Sequence, residues 1–204
     1  MIRALLAGEK TQMRRIVKPQ PRMDHSPLVV DRFCPTVIDR YGDEQPGDEV
    51  FGVTTENGEW CLRCPYGQPG DTLWVRETWG AYPHMMGGVQ GDSLRFRADG
   101  EYQNEQGTWR WRPSIHMPRW ASRLTLRITD VRVERLQEIS EDDARAEGVR
   151  HRRTGGVGMF FFGTEPARTT AARCYQQLWE NIYGPDSWAA NPYVWVIEFR
   201  RVGP

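Results

Sequence analysis

The run LTLRITDVRVERL, from Leu124 to Leu136, constrains this chain more than any other stretch. Apolar and polar residues alternate there for over ten positions, the period of a strand with one buried face. Two further segments carry the same signal, DTLWVRETW at Asp71–Trp79 and YVWVIEFRRV at Tyr193–Val202. Shorter strands are expected over Thr11–Val17, Leu94–Ala98 and Trp109–Arg112. Helices are few. Met1–Ala7 reads as one, with Gly8 as its C-cap, and Ser140 caps another whose first turn holds Glu141, Asp142 and Asp143 and which Gly148 ends. Thr169 or Thr170 caps the longest, where Ala172, Tyr175, Leu178, Trp179 and Ile182 recur at helical spacing before Gly184. Strands and helices do not alternate as βαβ units. The class is therefore α+β, with a small, mostly antiparallel β-barrel, a few flanking helices and long loop insertions.

Those insertions fall at about 18–68 and 150–168 of a single domain spanning 1–204. The first is crowded with Pro, Gly and Asp, which predicts turns between short strands and a hairpin at Asn57-Gly58. The second is rich in Gly and Arg and reads as a mobile loop, and Gly80–Gly91 reads as a loop rich in Gly and Met.

The chain has 27 basic and 27 acidic residues, so its net field does not favour a polyanion. The basic set is lopsided: only Lys10 and Lys18 are lysines, a bias that a GC-rich genome also produces. Nine tryptophans are many for 204 residues and serve either as core or as stacking surfaces. No stretch of 18 apolar residues and no secretory h-region is present, which predicts a cytoplasmic protein without a membrane span. Cys61 and Cys64 have zinc-knuckle spacing, and Cys34 with one of His25, His84, His116 or His151 would complete a site. Without a second paired motif, ordinary reduced thiols are expected and no metal or cofactor is assigned.

Three places carry chemically capable groups. Lys10, with Arg14 and Arg15 behind it, is either a solvated turn residue or a base and phosphate clamp. Glu77 and Glu147 are either surface carboxylates or the acid–base partners of such a lysine. The segment RPSIHMPRWASR gathers Ser114, His116, Arg119, Trp120 and Arg123 between two prolines, suited to stacking a base and pairing a phosphate, or simply to turning a corner. Trp79 is a further stacking candidate. An apolar patch of Met85, Met86, Met159 and Phe160 to Phe162 would instead suit a protein partner.

The segment LAGEKTQMRR at Leu6–Arg15 resembles the AG-x-K-T-x-T-x-R motif that opens ASCH domains, relatives of the PUA RNA-binding domain. QPGDTLWVRETW at Gln68–Trp79 is similar to the GD-x-L-x-V strand of that family, and VWVIEF at Val194–Phe199 to its closing strand. RPSIHMPRWASRLTLRITDVRVERLQEIS with EDDARAEGV is similar to long ASCH-like proteins of phages and prophages. The resemblance implies a PUA-like fold and a cleft for RNA, a nucleotide or a modified nucleoside. It also brings an alternative, a ribonuclease or an amidohydrolase acting on N4-acetylcytidine, with Lys10 and Glu147 on the family's lysine and glutamate. The family's threonine slot holds Met13, and a thioether cannot serve as that nucleophile. Thr11 shares the strand face of Met13 but lies about 7 Å away at ~3.3 Å per residue. Long relatives also carry a strand ahead of the first helix, so a shortened N-terminus is expected.

Overall fold

In a computed structural model, residues 1–22, 27–81, 94–100, 111–154, 157–162 and 169–203 are described. The strands are β1 (Gln12–Ile16), β2 (Leu28–Phe33), β3 (Thr36–Ile38), β4 (Glu44–Pro46), β5 (Val50–Thr55), β6 (Cys61–Arg63) and β7 (Thr72–Trp74). They continue with β8 (Trp79–Ala81), β9 (Leu94–Phe96), β10 (Thr125–Arg135), β11 (Arg150–Thr154), β12 (Val157–Phe161) and β13 (Tyr193–Arg201). The helices are α1 (Ile2–Leu6), α2 (Glu141–Ala146) and α3 (Ala171–Tyr183). The class is α+β with antiparallel pairing, and the main sheet curls into a half-barrel.

That sheet has the order β1-β13-β10-β7. Its two long alternating runs, β10 and β13, pair along most of their length. The apolar phase of β10 slips: Leu126 and Ile128 face one way, and a bulge between Ile128 and Asp130 turns Val131 and Val133 onto the same side. An extra residue restores the register of one buried face, which an unbroken alternation would have lost.

β13 is apolar on both faces because both are covered. Trp195, Ile197 and Phe199 join a core with Leu5, Leu124 and Leu126, closed by the β2-β5-β6 sheet through Val53 and Leu28. Val194 and Val196 point into a second core with Leu136, Ala144, Cys174, Tyr175 and Trp179, closed by α2, α3 and β12. Trp79, Phe96, Met117 and Ala121 form a small third cluster.

Several expectations change. DTLWVRETW is not one strand: pairing with β10 covers only Thr72 to Trp74, and Trp79 to Ala81 pairs instead with β9. The Gly- and Arg-rich stretch after Arg150 forms the β11–β12 hairpin, whose buried Phe160 belongs to the second core rather than to an exposed patch. Met85, Met86, most of the Gly80–Gly91 segment and Trp109 lie outside the described residues. The hairpin at Asn57-Gly58 joins β5 to β6 as expected, and Thr170 is the cap of α3.

Candidate functional site at the Lys10–Glu147 pair

β1 owes its place in the site to an alternation of polar residues. Gln12 and Arg14 are 2% and 3% exposed, facing the α2 and α3 side of the sheet, and Met13 joins the opposite core. The turn before β1 is tied down twice, since the backbone N–H groups of Glu9 and Lys10 both donate to the carbonyl of Ala4. Thr11 N–H then donates to the carbonyl of Ala146 at 2.8 Å, locking this turn to the end of α2. At that end Glu147 is the C-cap and Gly148 takes φ +100° to leave the helix. The Cβ that an alanine would place at Gly148 lies 3.3 Å from the Ala4 Cβ and 3.5 Å from the Lys10 Cβ, so glycine permits the close approach.

Lys10 and Glu147 are buried there together. The Lys10 ammonium donates to the Glu147 carbonyl at 2.9 Å and meets its Oε2 at 2.5 Å. Arg14 approaches the other carboxylate oxygen at 3.6 Å and holds Glu134 at 2.6 Å and Asp143 at 3.4 Å. It also donates to Gln12, which in turn donates to Asp143 and Glu198. The Tyr175 hydroxyl donates to Glu147 Oε1 at 3.5 Å, and its ring stands 6.0 Å from the Arg14 guanidinium.

Burial lowers the Lys10 pKa below the ordinary lysine value, although the Glu147 carboxylate opposes this. Tyr175 moves the other way, its phenol pushed up by burial and then by the adjacent Glu147 charge. Burial also works against ionisation of Asp143, but hydrogen bonds from Gln12 and Ser140 bring its carboxyl down to about 2.

Lys10, Arg14, Glu147 and Tyr175 line a cavity of about 350 Å³ whose walls include Trp74, Phe162, Trp179 and Tyr183, with an aliphatic side of Leu73, Leu126 and Leu178. Lys10, Arg14, Arg15 and Arg76 are its cations and Glu147 its carboxylate. Two donors on its lining residues, Arg14 Nε and Trp179 Nε1, are buried without a hydrogen-bond partner among the described residues. The geometry therefore combines aromatic walls, a lysine whose pKa burial lowers, and a carboxylate with a phenol beside it.

The other expected residues lie elsewhere. Thr11 is exposed, with both backbone groups bonded to Ala146 and Phe199, whereas Met13 lines the cavity. Glu77 is buried, but it does not join Lys10 and Glu147. Both its oxygens accept from Arg123 at 2.9 Å, and Arg123 also clamps Asp99 at 2.6 and 2.7 Å. Trp79 is buried in the third cluster, 6.0 Å edge-on from Trp120, which is 60% exposed. Arg119 bonds Thr125 and sits 5.9 Å from the Trp74 ring, while Ser114 and His116 form a short 3-10 turn beyond it. Among the described residues no three His, Cys, Asp or Glu side chains gather to hold a metal; His25 and His84 lie outside them.

Tyr175, Trp74 and Trp179 escape a reading of the sequence as site residues. Tyr175 and Trp179 stand one turn apart on the apolar stripe of α3, a pattern shared with plain core. A polar pair at Gln12 and Arg14 in alternating positions was the available signal that this face of β1 is not lipophilic. Comparison with known proteins finds no matching family, no matching curated protein and no matching solved structure.

Proposed function

We propose that the chain is an ASCH-type, PUA-like domain that binds a modified nucleoside or nucleotide, free or displayed in RNA, in the Lys10–Glu147 cavity. One observation carries the reading: a buried lysine–glutamate pair inside a cavity walled by aromatic rings. A cavity of about 350 Å³ is at the small end of ligand sites and suits one nucleoside rather than a folded strand. A base from RNA would enter it flipped out of its stack. Trp74 offers a stacking face, while Lys10 and Glu147 present a donor and an acceptor to a base edge. The resemblance of Gly8–Arg15 to the opening motif of the ASCH family supports the same reading, as does the position of Glu147 against Lys10.

Titration of cytidine, N4-acetylcytidine, the other common nucleosides and a short RNA against tryptophan fluorescence tests this. A saturable change with at least one of them, weakened tenfold or more in Glu147→Gln, is expected. No saturable change at low salt with any of them would sink the proposal.

A second reading is hydrolysis of an acylated nucleoside. It is favoured by the contact of Lys10 with Glu147 inside the cavity, a pair across which a proton can pass, and burial lowers the Lys10 pKa and so eases its loss of a proton. Met13 in the threonine slot leaves water, not a side chain, as the nucleophile. Incubation with N4-acetylcytidine separates the readings: cytidine and acetate appear with the wild type and not with Lys10→Met if the site is catalytic.

A further inference from the structure

A second cavity, of about 500 Å³, adjoins the first, and Met1, Ile2 and Phe162 line both spaces. It is also bordered by Gly148, the residue after Glu147. Its charged lining is Arg3, Arg97, Arg150 and Glu77. Glu77 is spoken for, because both its oxygens are held by Arg123. Arg3 uses its Nε on the Ala98 carbonyl at 2.7 Å, and Arg150 uses its Nε on Glu9 at 2.5 Å. Arg97 bonds through its backbone to Thr78 and Gly100, while its guanidinium has no hydrogen-bond or ion-pair partner among the described residues. Three guanidinium groups thus face one space with spare donors and no uncommitted carboxylate, in a molecule whose overall charge is zero.

We infer that this cavity is an anion subsite for the phosphate of the ligand whose base occupies the aromatic cavity, so that the ligand is a nucleoside phosphate rather than a free nucleoside. The inference rests on the nucleoside reading for the base and on the arginine cluster for the phosphate. Guanidinium forks pair with phosphate oxygens in two-point hydrogen bonds, and a half-enclosed space screens those bonds less than open solvent does. Met1, Ile2 and Phe162 line both spaces and so set them next to one another, the adjacency that a base and its own phosphate require.

Nucleosides and their 5′-monophosphates are titrated in parallel by tryptophan fluorescence, and inorganic pyrophosphate by the NMR signals of the arginine Nε–H groups. At low salt the monophosphate binds about tenfold more tightly than its nucleoside, and this advantage falls below about twofold in Arg97→Glu combined with Arg3→Gln, with nucleoside affinity unchanged. Equal affinity of nucleoside and monophosphate, or an advantage that survives both substitutions, overturns the inference and leaves the nucleoside reading intact. Pyrophosphate shifting the arginine signals of the wild type but not of the variant, with no nucleoside bound, supports the anion site and refutes its nucleoside partner. Neither pyrophosphate nor any monophosphate binding refutes the anion site outright.

Discussion

At the scale of residues, the site is a problem of buried charge. Lys10 and Glu147 are each about 5% exposed at the side chain, so neither is supported by solvent. Removing one partner of such a pair leaves the other uncompensated and costs several kcal/mol, while replacing both with apolar groups of similar size is far milder. Glu147→Gln is therefore expected to lose about 3 kcal/mol in urea unfolding, and Lys10→Met with Glu147→Leu to recover most of it. Asp143 gives a pH dependence. Its carboxyl sits at about 2 in the fold against an ordinary 3.8, a lowered acid, so its contribution is complete above 3.8 and is lost as pH falls toward 2. Discounted for its partial exposure, this amounts to roughly 1–2 kcal/mol, which Asp143→Asn should remove from the acid limb of the stability profile. Little of this was legible beforehand. Lys10 and Glu147 are 137 positions apart, and residue types alone offered Glu77 equally as the partner, so that only the family resemblance singled out Glu147. The burial of Arg14 and Glu77 depends on carboxylate and guanidinium partners from distant strands and loops, which no local pattern announces.

At the scale of elements, the join between α1, the turn at Lys10 and the end of α2 decides where the pair sits. Gly148 and Gly184 both end helices with φ near +100°, and alanine at either is strained by about 1–2 kcal/mol. They differ in surroundings: nothing lies within 4 Å of the Gly184 position, whereas at Gly148 the new methyl presses on Ala4. The carbonyl of Ala4 anchors the N–H of Lys10, so pushing it displaces the site. Gly148→Ala should weaken nucleoside binding as well as stability, and Gly184→Ala stability alone, in paired titration and unfolding measurements. The helices themselves were readable from their caps, Ser140 with Asp143 and Thr170 with its bond from the Arg173 N–H. Strand ends were not. β7 stops at Trp74 although the alternation runs on to Trp79, because the length of a strand is set by its partner. β11 lacks apolar alternation, yet it pairs with β12 through backbone bonds that any side chain permits.

At the scale of the whole molecule, β13 ties everything together. It pairs with β1 from near the start of the chain and β10 from its middle, and contributes Trp195 to one core and Val196 to the other. Two cores built on one strand should not unfold separately. Trp195→Ala is expected to cost about 3–5 kcal/mol, with fluorescence and far-UV circular dichroism still giving coincident transitions. The long runs of β10 and β13 and the α+β class were visible in the periodicity of the sequence. The order of the sheet was not, since alternation says which face is buried and not which strand lies beside it. No helix among the described residues is long and apolar enough to cross a membrane.

The most direct test is a crystal structure with the tightest-binding nucleoside or nucleotide. The base is expected in the cavity against Trp74, with hydrogen bonds to Lys10 or Glu147. A base bound instead on the exposed Trp120 and Arg119 surface, with the Lys10–Glu147 cavity unchanged, would contradict the account.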